Sequence, residues 1–277
     1  MEKNKKTIGI IGYGNMGKAI AERIKPAFNT AIFEKNTSKI KNVPDVFVAS
    51  CLADLIKYAD IVILAVKPQD FNEVLNEIKD SIDDKLVISI AAGKSTRDIE
   101  KILGRVRVVR VMPNLPAKIG KGMSCLCKGK FAKPNDLSFA EKIFDLLGET
   151  LILKEDMMNA ATAVSGSGPG FLYGLLAGKN HKEVKKYAQS EFLPVFAHTA
   201  STIGFNQMQA KKITKATISG SIKFLEVCGS SAEELVKQVA SKGGTTEAGL
   251  KELKGNVKNL PKAIKAAVKK AKELSRR

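Results

Sequence analysis

A glycine-rich turn close to the N-terminus restricts the fold of this chain more than any other feature of its sequence. A β-branched run, Thr7 to Ile11, leads directly into Gly12, Gly14 and Gly17, and residues with helical spacing follow. In that context Gly12 suits a tight turn, Gly14 lets a pyrophosphate approach the backbone, and Gly17 lets the helix pack closely on the strand. The backbone N–H groups at the helix N-terminus would bind the phosphates. The turn therefore predicts a dinucleotide site, with an unliganded glycine-rich turn as the alternative.

Short apolar runs of the same kind recur along the first half of the chain. They lie at Thr30 to Glu34, Asp60 to Val66, Leu86 to Ala91 and Arg107 to Met112. Segments with helical spacing separate them, and this alternation predicts a parallel sheet covered by helices. From about Glu155 onward the sequence is typical of helices interrupted by Gly, Ser and Pro. We therefore expect an α/β Rossmann-type dinucleotide-binding domain over residues 1–155, followed by an all-α domain over residues 156–277.

The end of the second predicted strand bears on the type of dinucleotide. Glu34 follows Gly12 by 22 residues, a position from which an acid can bind the hydroxyls of the adenine ribose and favour NAD. The polar residues that follow suit the 2′-phosphate of NADP instead. They are Lys35, Asn36, Ser38 and Lys39. NADPH and NADH both remain open, and Glu34 could also simply face solvent.

The charge of the chain raises other classes of partner. Its 277 residues include 46 Lys and Arg against 28 Asp and Glu, a net charge of +18, which would suit nucleic acid, an anionic membrane or acidic small molecules. However, four tyrosines and no tryptophan offer little base stacking, and the apolar runs are far shorter than the ~20 residues of a membrane helix. We therefore expect a cytoplasmic protein without a nucleic-acid or membrane partner, its excess charge lying on a solvated surface.

Histidine and cysteine are too scarce to carry the chemistry. Two histidines and four dispersed cysteines favour neither a metal site nor a disulfide framework nor nucleophilic catalysis. Cys125 and Cys127 alternate within Gly122 to Cys127, which is typical of plain packing on one face of a strand. The sequence therefore predicts that a bound cofactor supplies the chemistry.

Four further motifs narrow the prediction from a general dinucleotide fold to one family. They are Ala65-Val-Lys-Pro68, Val111-Met-Pro-Asn-Leu-Pro116, Ser165-Gly-Ser-Gly-Pro169 and Gly243-Gly-Thr-Thr246. In this order behind the glycine turn, and across nearly the whole chain, the set resembles the pyrroline-5-carboxylate reductase family. The resemblance implies hydride transfer from NADPH or NADH to the C=N bond of Δ1-pyrroline-5-carboxylate, which yields L-proline in the last step of proline biosynthesis. It also implies a homodimer or a ring of dimers joined through the helical domain.

The resemblance also implies which residues bind the two ligands. The expected cofactor residues are Gly12, Tyr13, Gly14, Asn15, Met16, Gly17, Glu34, Asn36, Ser38, Ala65, Val66, Lys67, Pro68, Ala91, Ala92 and Asn114. The expected substrate residues are Glu155, Ser165, Gly166, Ser167, Gly168, Pro169, Gly243, Gly244, Thr245 and Thr246. Thr246 is the expected catalytic residue, since its hydroxyl could hydrogen-bond the ring nitrogen.

The chemistry of these residues is compatible with that activity. A protonated imine is already electrophilic, so positioning it needs no histidine acid. Gly243 to Thr246 precede a helical run and offer backbone N–H groups to a carboxylate, although an ordinary helix N-cap would look similar. Ser165 to Pro169 could form an open backbone floor beneath a small ring, or merely link two helices with Ser167 as a cap.

The chain departs from the family pattern in three places. About 18 extra residues, 174–191, intervene in the helical domain, and Gly178 and Pro194 argue against one continuous helix there. We expect a helical hairpin on the surface of the substrate domain. Lys242 stands where the family has Pro, and Gly170 stands where it usually has Ala.

Two other functions compete with this interpretation. The first is another NAD(P)-dependent oxidoreductase, either an imine reductase or a β-hydroxyacid dehydrogenase. The hydroxyacid enzymes need a catalytic lysine on the central helix, and Lys211, Lys212 and Lys215 lie late in that region without a recognisable motif. The second is a basic nucleic-acid-binding protein, for which the sequence offers no recognisable module.

Overall fold

The computed structural model describes residues 5–176, 178–179 and 181–276, and the chain divides into two compact units. The first unit comprises the residues up to 111 together with 126–146. The second comprises 112–125 together with the residues from 147 onward. Among the described residues, no helix is both long enough and apolar enough to span a lipid bilayer.

Eight strands form one sheet in the order β3-β2-β1-β4-β5-β6-β7-β8. They are β1 (Thr7–Ile11), β2 (Asn29–Phe33), β3 (Phe47–Val48), β4 (Ile61–Leu64), β5 (Leu86–Ser89), β6 (Arg107–Met112), β7 (Gly122–Lys128) and β8 (Gly148–Ile152). The pairs β3·β2, β2·β1, β1·β4, β4·β5 and β5·β6 are parallel, with Ile10 in register with Ile32 and Ile63. The order of β1 to β6 is that of a doubly wound dinucleotide fold, which confirms the predicted α/β class.

Buried β-branched and aliphatic residues explain why the central strands form. Ile8, Ile10, Val62 and Ile63 are fully buried, as expected for parallel strands covered on both faces. The five runs predicted from sequence all become strands. The strand through Cys125 is also confirmed, whereas β3 and β8 were not predicted because they are short and carry exposed residues.

The first unit surrounds its strands with amphipathic helices. They are α1 (Asn15–Ile24), α2 (Leu52–Tyr58), α3 (Phe71–Ile78), α4 (Thr96–Leu103) and α5 (Pro134–Asp145). The start of α4 shows why such a helix begins where it does. Ser95 accepts from the Asp98 N–H group at 3.2 Å, and the Asp98 carboxylate accepts from the Ser95 N–H group at 2.9 Å, a reciprocal capping box.

The second unit is helical apart from its strand segments. Its α-helices are α6 (Met158–Ala161), α7 (Gly168–Leu176), α8 (His181–Tyr187), α9 (Leu193–Thr202), α10 (Gln207–Val227), α11 (Ala232–Val239), α12 (Thr245–Leu253) and α13 (Leu260–Leu274). A π-helical turn, Thr162–Gly166, joins α6 to α7. The Ser167 N–H group accordingly donates to the Thr162 carbonyl five residues earlier, at 2.9 Å. Ser165 to Pro169 are therefore not a linker, since they lie within a continuous helical path.

In the described part of the extra segment 174–191, the helix is interrupted at Gly178. α7 ends at Leu176, the Lys179 N–H group donates to the Leu176 carbonyl at 3.0 Å, and Gly178 has a positive φ of 74°. The prediction that no single helix runs from Pro169 to Ile203 is confirmed, and its cause is the turn at Gly178.

At Pro194 the helical path continues, contrary to expectation. α8 passes through a second π-helical turn, Ala188–Phe192, into α9, whose first turn contains Pro194. Proline is accommodated there because the first turn of a helix is the position at which it fits best. Val184, Ala188 and Phe192 are buried, so the segment packs one face against its unit and is not a hairpin confined to the surface.

Candidate active site

The glycine turn of the first unit is shaped by two close backbone approaches. Gly12 has a φ of 98° and donates its N–H group to the Phe33 carbonyl at 2.8 Å. A Cβ atom at Gly12 would lie 2.8 Å from the Ala65 carbonyl oxygen, and one at Gly17 would clash with the Gly12 carbonyl oxygen. These two positions therefore need glycine for reasons internal to the protein.

Gly14 differs from its two neighbours in the turn. A Cβ atom built there would meet nothing within 4 Å, although its φ of −76° is one that any residue adopts. Gly14 directly precedes α1, whose first N–H groups lack intrahelical partners. Open space above a helix N-terminus fits the pyrophosphate of a dinucleotide.

The other predicted cofactor positions follow neighbouring parallel strands. Residues 65–68 come after β4, and Ala91 and Ala92 come after β5. Because β4 lies between β1 and β5, these positions lie with the glycine turn at the carboxyl ends of the strands. A doubly wound sheet binds its ligand at that end. Lys67 and Pro68 are exposed, whereas Ala91 is buried. Asn15 is exposed at the start of α1, followed by the half-buried Met16.

Glu34 braces the turn from the end of β2. Its Oε2 atom accepts from the Tyr13 N–H group at 2.8 Å, and its Oε1 atom accepts from the Asn36 N–H group at 3.0 Å and from Lys39 Nζ at 3.2 Å. Burial of Glu34 raises the pKa of its carboxyl, but the two backbone hydrogen bonds and Lys39 outweigh that effect and hold the pKa below its usual range. Both oxygens of the Glu34 carboxylate thus accept hydrogen bonds from donors of the protein itself.

The remaining residues of this segment form a local polar cluster. Asn36 caps a short 3₁₀ helix, Thr37–Ile40, through its Oδ1 atom, which accepts from the Ser38 N–H group at 3.1 Å and from the Ser38 hydroxyl at 2.7 Å. Asn36 and Ser38 are exposed and stand beside Lys39. This arrangement presents amide, hydroxyl and ammonium groups together, as binding of a ribose or its phosphate requires.

In the second unit, two of the predicted motifs meet in a chain of three hydroxyls. Thr246 Oγ1 donates to Ser167 Oγ at 3.0 Å, and Ser167 Oγ lies 2.9 Å from Thr245 Oγ1. Ser167 and Thr246 are buried, and Thr245 is half-buried. Gly170 makes this approach feasible, because a Cβ atom there would lie 2.5 Å from Thr246 Cγ2.

The start of α12 uses some of the backbone donors that the sequence assigned to substrate. Gly244 is the N-cap residue and donates its N–H group to the Ser241 carbonyl at 2.9 Å, while Gly243 donates to Glu247 Oε2 at 2.6 Å. The donors that a helix leaves unpaired at this end are those of its first residues, here Thr245 and Thr246. The expected carboxylate site therefore shifts from the two glycines to these threonines.

Glu247 was not predicted from sequence, although a signal existed. It stands three residues after the N-cap, the position at which a Glu side chain reaches back to backbone N–H groups in a capping box. Here it reaches one residue further, to Gly243, and so fixes the loop that carries the exposed Lys242.

Asn114 and Ser165 form a second buried network in the same unit. Asn114 Oδ1 accepts from the Met123 N–H group at 2.9 Å, and Asn114 Nδ2 donates to the Ser165 carbonyl at 3.3 Å. Ser165 Oγ donates to the Met123 carbonyl at 2.9 Å. Both ends of the Asn114 amide are thus bound to the protein, which anchors the π-helical turn to β7.

The other predicted substrate residues lie near these networks along the chain. Gly166 and Gly168 contact the Met112 and Phe196 side chains so closely that a Cβ atom at either position would lie 2.7 Å from them. Pro169 is buried in the first turn of α7. Glu155 is half-buried at the start of a short 3₁₀ helix, Glu155–Met157.

Cys125, the first cysteine of the predicted strand, carries a thiol of low reactivity. Burial raises the pKa of the Cys125 thiol to about 12, so the thiol is protonated at neutral pH. Within the described part of the chain, no group of three or more His, Cys, Asp or Glu side chains is arranged to hold a metal ion.

Comparison with protein families gives matches on both halves of the chain. Residues 7–93 match the model described as NADP oxidoreductase coenzyme F420-dependent, and residues 189–276 match that described as pyrroline-5-carboxylate reductase dimerisation. A nucleotide turn on a parallel sheet, followed by a helical domain that matches a dimerisation model, defines an NAD(P)-dependent oxidoreductase.

Full-length relatives make the assignment specific. Pyrroline-5-carboxylate reductases of Aquifex aeolicus and Methanosarcina acetivorans are each 32% identical to the chain. The alignment with the Aquifex aeolicus enzyme covers 96% of this chain and 97% of that enzyme. The alignment with the Methanosarcina acetivorans enzyme covers 100% of both chains. The solved structure of the Coxiella burnetii enzyme has 30% identity and a TM-score of 0.64, with 99% of each chain covered. The chain belongs to the pyrroline-5-carboxylate reductase family. The resemblance predicted from the motifs is confirmed.

Proposed function

We propose that this protein reduces the C=N bond of Δ1-pyrroline-5-carboxylate to give L-proline, with NADPH or NADH as reductant, in the last step of proline biosynthesis. Full-length similarity to pyrroline-5-carboxylate reductases supports the reaction class. The observation that carries the proposal within this chain is the buried contact between Thr246 and Ser167 at the N-terminus of α12. It combines a hydroxyl for a ring nitrogen with unpaired helix N–H groups for a carboxylate.

In the first unit, the cofactor would be held by backbone and by a few polar side chains. The N–H groups at the start of α1, next to the open face of Gly14, bind the pyrophosphate. Asn36, Ser38 and Lys39 bind the adenine ribose or its 2′-phosphate, and Glu34 keeps the turn in place. Residues 65–68, with Ala91 and Ala92, line the nicotinamide half at the same sheet edge. The solved Plasmodium falciparum pyrroline carboxylate reductase, 28% identical, has NADP bound.

In the second unit, the substrate would be oriented through its carboxylate and its nitrogen. The N–H groups of Thr245 and Thr246 bind the carboxylate at the positive end of α12. Thr246 Oγ1 contacts the ring nitrogen. The glycines of Ser165 to Pro169 leave space for the flat ring, and Glu155 stays in the predicted substrate site as a flanking residue. Asn114 stays among the predicted cofactor residues.

The protein's contribution is binding and orientation. When bound, the nicotinamide supplies the hydride that adds to the imine carbon. The residues named above hold the substrate in one orientation, and the buried hydroxyls exclude water from the nitrogen.

The test is oxidation of NADPH and of NADH, followed at 340 nm, with Δ1-pyrroline-5-carboxylate as the second substrate. We expect substrate-dependent oxidation, lowered at least about tenfold in Thr246→Ala. Thr202→Ala, which removes an exposed helical threonine of the same unit, serves as the matched control. Absence of oxidation with either nucleotide would rule out the activity, and an unaffected Thr246→Ala variant would rule out the role of Thr246.

We also propose that the functional domains are 1–155 for the cofactor and 156–277 for substrate and dimerisation, and that the assembly is a homodimer or a ring of dimers. The exposed Met208 and Ile152 of the second unit, 82% and 44% accessible, support an interface there. Light scattering on the purified protein gives the number of subunits. Met208→Glu should lower that number.

A cytoplasmic location is part of the same proposal. All four cysteines are free thiols, which is usual for a reducing compartment. Fractionation of cells that express the protein at native level is the direct test, and recovery with the membrane pellet would contradict it.

A further inference from the structure

The hydrogen bonds among the hydroxyls of Thr246, Ser167 and Thr245 run from donor to acceptor in a direction. That direction bears on which protonation state of the substrate nitrogen the site binds. A threonine hydroxyl has one proton to donate and two lone pairs. The Thr246 proton points to Ser167 Oγ at 3.0 Å. Because that proton is engaged, Thr246 Oγ1 has only its lone pairs available to a ligand.

Ser167 in turn has its own proton available for Thr245. Since Ser167 Oγ accepts from Thr246, its proton is free to bridge the 2.9 Å to Thr245 Oγ1. Either oxygen of that contact can be the donor; with Ser167 donating, the three hydroxyls form a chain running from Thr246 to Ser167 to Thr245. An oxygen that donates within such a chain becomes a better acceptor, because successive hydrogen bonds polarise one another.

Burial keeps this direction in place. Ser167 is fully buried and Thr246 is 3% exposed, so water does not compete for either proton. The Thr246 side chain is also tightly packed, because its methyl group fills the space beside Gly170. Rotating the Thr246 hydroxyl away would break one of the two hydroxyl contacts of the buried Ser167 Oγ, which is unfavourable.

We infer that Ser167 is a positioning residue that turns the proton of Thr246 away from the substrate, so that Thr246 Oγ1 accepts from the ring N–H group and the site selects the protonated, iminium form of a cyclic imine. This inference rests on the proposed function. The iminium nitrogen already carries its proton. When hydride reaches the carbon, the C=N π pair becomes the nitrogen lone pair, and no proton from the protein is needed.

The charged groups around Thr246 are few and lie at the periphery. On α12 and its preceding loop they are Glu247, which binds the Gly243 N–H group and lies 3.9 Å from Lys251, and the exposed Glu252 and Lys242. α7 and the π-helical turn before it carry no charged residue. The lysines of the neighbouring helix α13 that lie closest to α12 along the chain, Lys262 and Lys265, are exposed. The pH dependence should therefore follow the substrate nitrogen.

The experiment compares kcat/KM for Δ1-pyrroline-5-carboxylate between about pH 5.5 and 9 in the wild type and in Ser167→Ala. In the wild type, kcat/KM should fall about tenfold per pH unit above the pKa of the iminium. In Ser167→Ala it should be about tenfold lower at acidic pH, with a smaller loss at alkaline pH. The freed Thr246 proton can then bind the lone pair of the neutral imine. Ser167→Cys, which keeps the volume but has a weak donor and acceptor, should behave like Ser167→Ala.

Ser221→Ala is the matched control, because Ser221 is also a fully buried helical serine whose hydroxyl bonds a backbone carbonyl, at 2.6 Å. It should change thermal unfolding without changing the shape of the pH profile. A loss in Ser167→Ala that is equal at every pH would overturn the inference, and so would a loss that grows with pH, which indicates proton delivery through the chain. A wild type without substrate-dependent oxidation would overturn the proposed function and the inference together.

Discussion

Ser167 and Thr246, 79 residues apart in the sequence, share a buried hydrogen bond of 3.0 Å in the helical unit. The bond links the Gly166-Ser-Gly-Pro169 motif, where the π-helical turn meets α7, to the first turn of α12. Neither motif by itself distinguishes a binding site from ordinary helix ends. Their contact places a hydroxyl and unpaired helix N–H groups within one small region.

Gly170→Ala should lower activity more than stability. The new Cβ atom would lie 2.5 Å from Thr246 Cγ2 and 3.2 Å from Val239 Cγ1, so the Thr246 side chain must move away from Ser167. Overpacking of about 1–3 kcal/mol is partly offset by the gain of about 1 kcal/mol in helix propensity. We expect kcat/KM to fall about tenfold, as measured by steady-state kinetics alongside urea unfolding.

Gly174→Ala on the same helix is the control for that change. Its Cβ atom would come no closer than 3.0 Å to Leu250 Cδ2, the mobile end of a side chain. Stability should be unchanged or slightly higher, with activity preserved. Equal activity of the two alanine variants would contradict the role given to the space at Gly170.

Gly14→Ala and Gly17→Ala should separate cofactor binding from folding. At Gly14 the methyl group meets no protein atom within 4 Å, so the fold should be retained while the face open to a pyrophosphate is blocked. We expect the Kd for NADPH to rise at least about tenfold, by fluorescence titration.

Gly17→Ala should show the reverse pattern. Its methyl group clashes with the Gly12 carbonyl oxygen, and we expect a loss of about 1–3 kcal/mol in the free energy of unfolding. If the folded Gly14→Ala variant bound NADPH as tightly as the wild type, the assignment of the open face would be wrong.

Glu34 should make the stability of the protein dependent on pH in the acid range. Its folded pKa is lowered, since the hydrogen bonds and Lys39 outweigh burial. The unfolded state therefore binds the proton more readily. The stabilisation is complete above the ordinary glutamate pKa of about 4.3 and is lost as pH falls through the lower folded value. In Glu34→Gln, Tm at pH 7 should fall and should vary less with pH across that window.

Glu73→Gln is the comparison for Glu34, because Glu73 forms an exposed pair with Lys35 at 3.2 Å. Exposed pairs contribute little, so its Tm should match the wild type throughout. Parallel pH curves for wild type and Glu34→Gln, measured by differential scanning fluorimetry, would refute the bracing role.

Asn114→Ala should destabilise the helical unit. It removes the acceptor of the buried Met123 N–H group and a donor to the Ser165 carbonyl, and unsatisfied buried groups cost about 1–3 kcal/mol each. Asn72→Ala, on the exposed face of α3, should be nearly neutral. Urea unfolding measures both, and similar free energies for the two variants would exclude the anchoring role of Asn114.

The local pattern of the sequence was sufficient for six of the eight strands and for the family. Thr7 to Ile11 followed by Gly12, Gly14 and Gly17 predicts a strand, a turn and a helix because each depends on neighbours along the chain. β8 escaped prediction because a five-residue strand with Glu149 and an exposed Ile152 has no marked alternation. The continuation of the helix through Pro194 was not predicted, because a wide π turn depends on packing around Phe192 rather than on helix propensity.

The sequence by itself determined the parallel sheet, the glycine turn, the helical second half and the set of motifs that marks the family. Only the tertiary structure decided how those motifs combine. It directs Thr246 to Ser167, binds the Gly243 and Gly244 N–H groups internally, and commits Glu34 to Tyr13, Asn36 and Lys39. The physical reason is that a residue's conformation follows from its neighbours along the chain, whereas its hydrogen-bond partners follow from how distant segments pack.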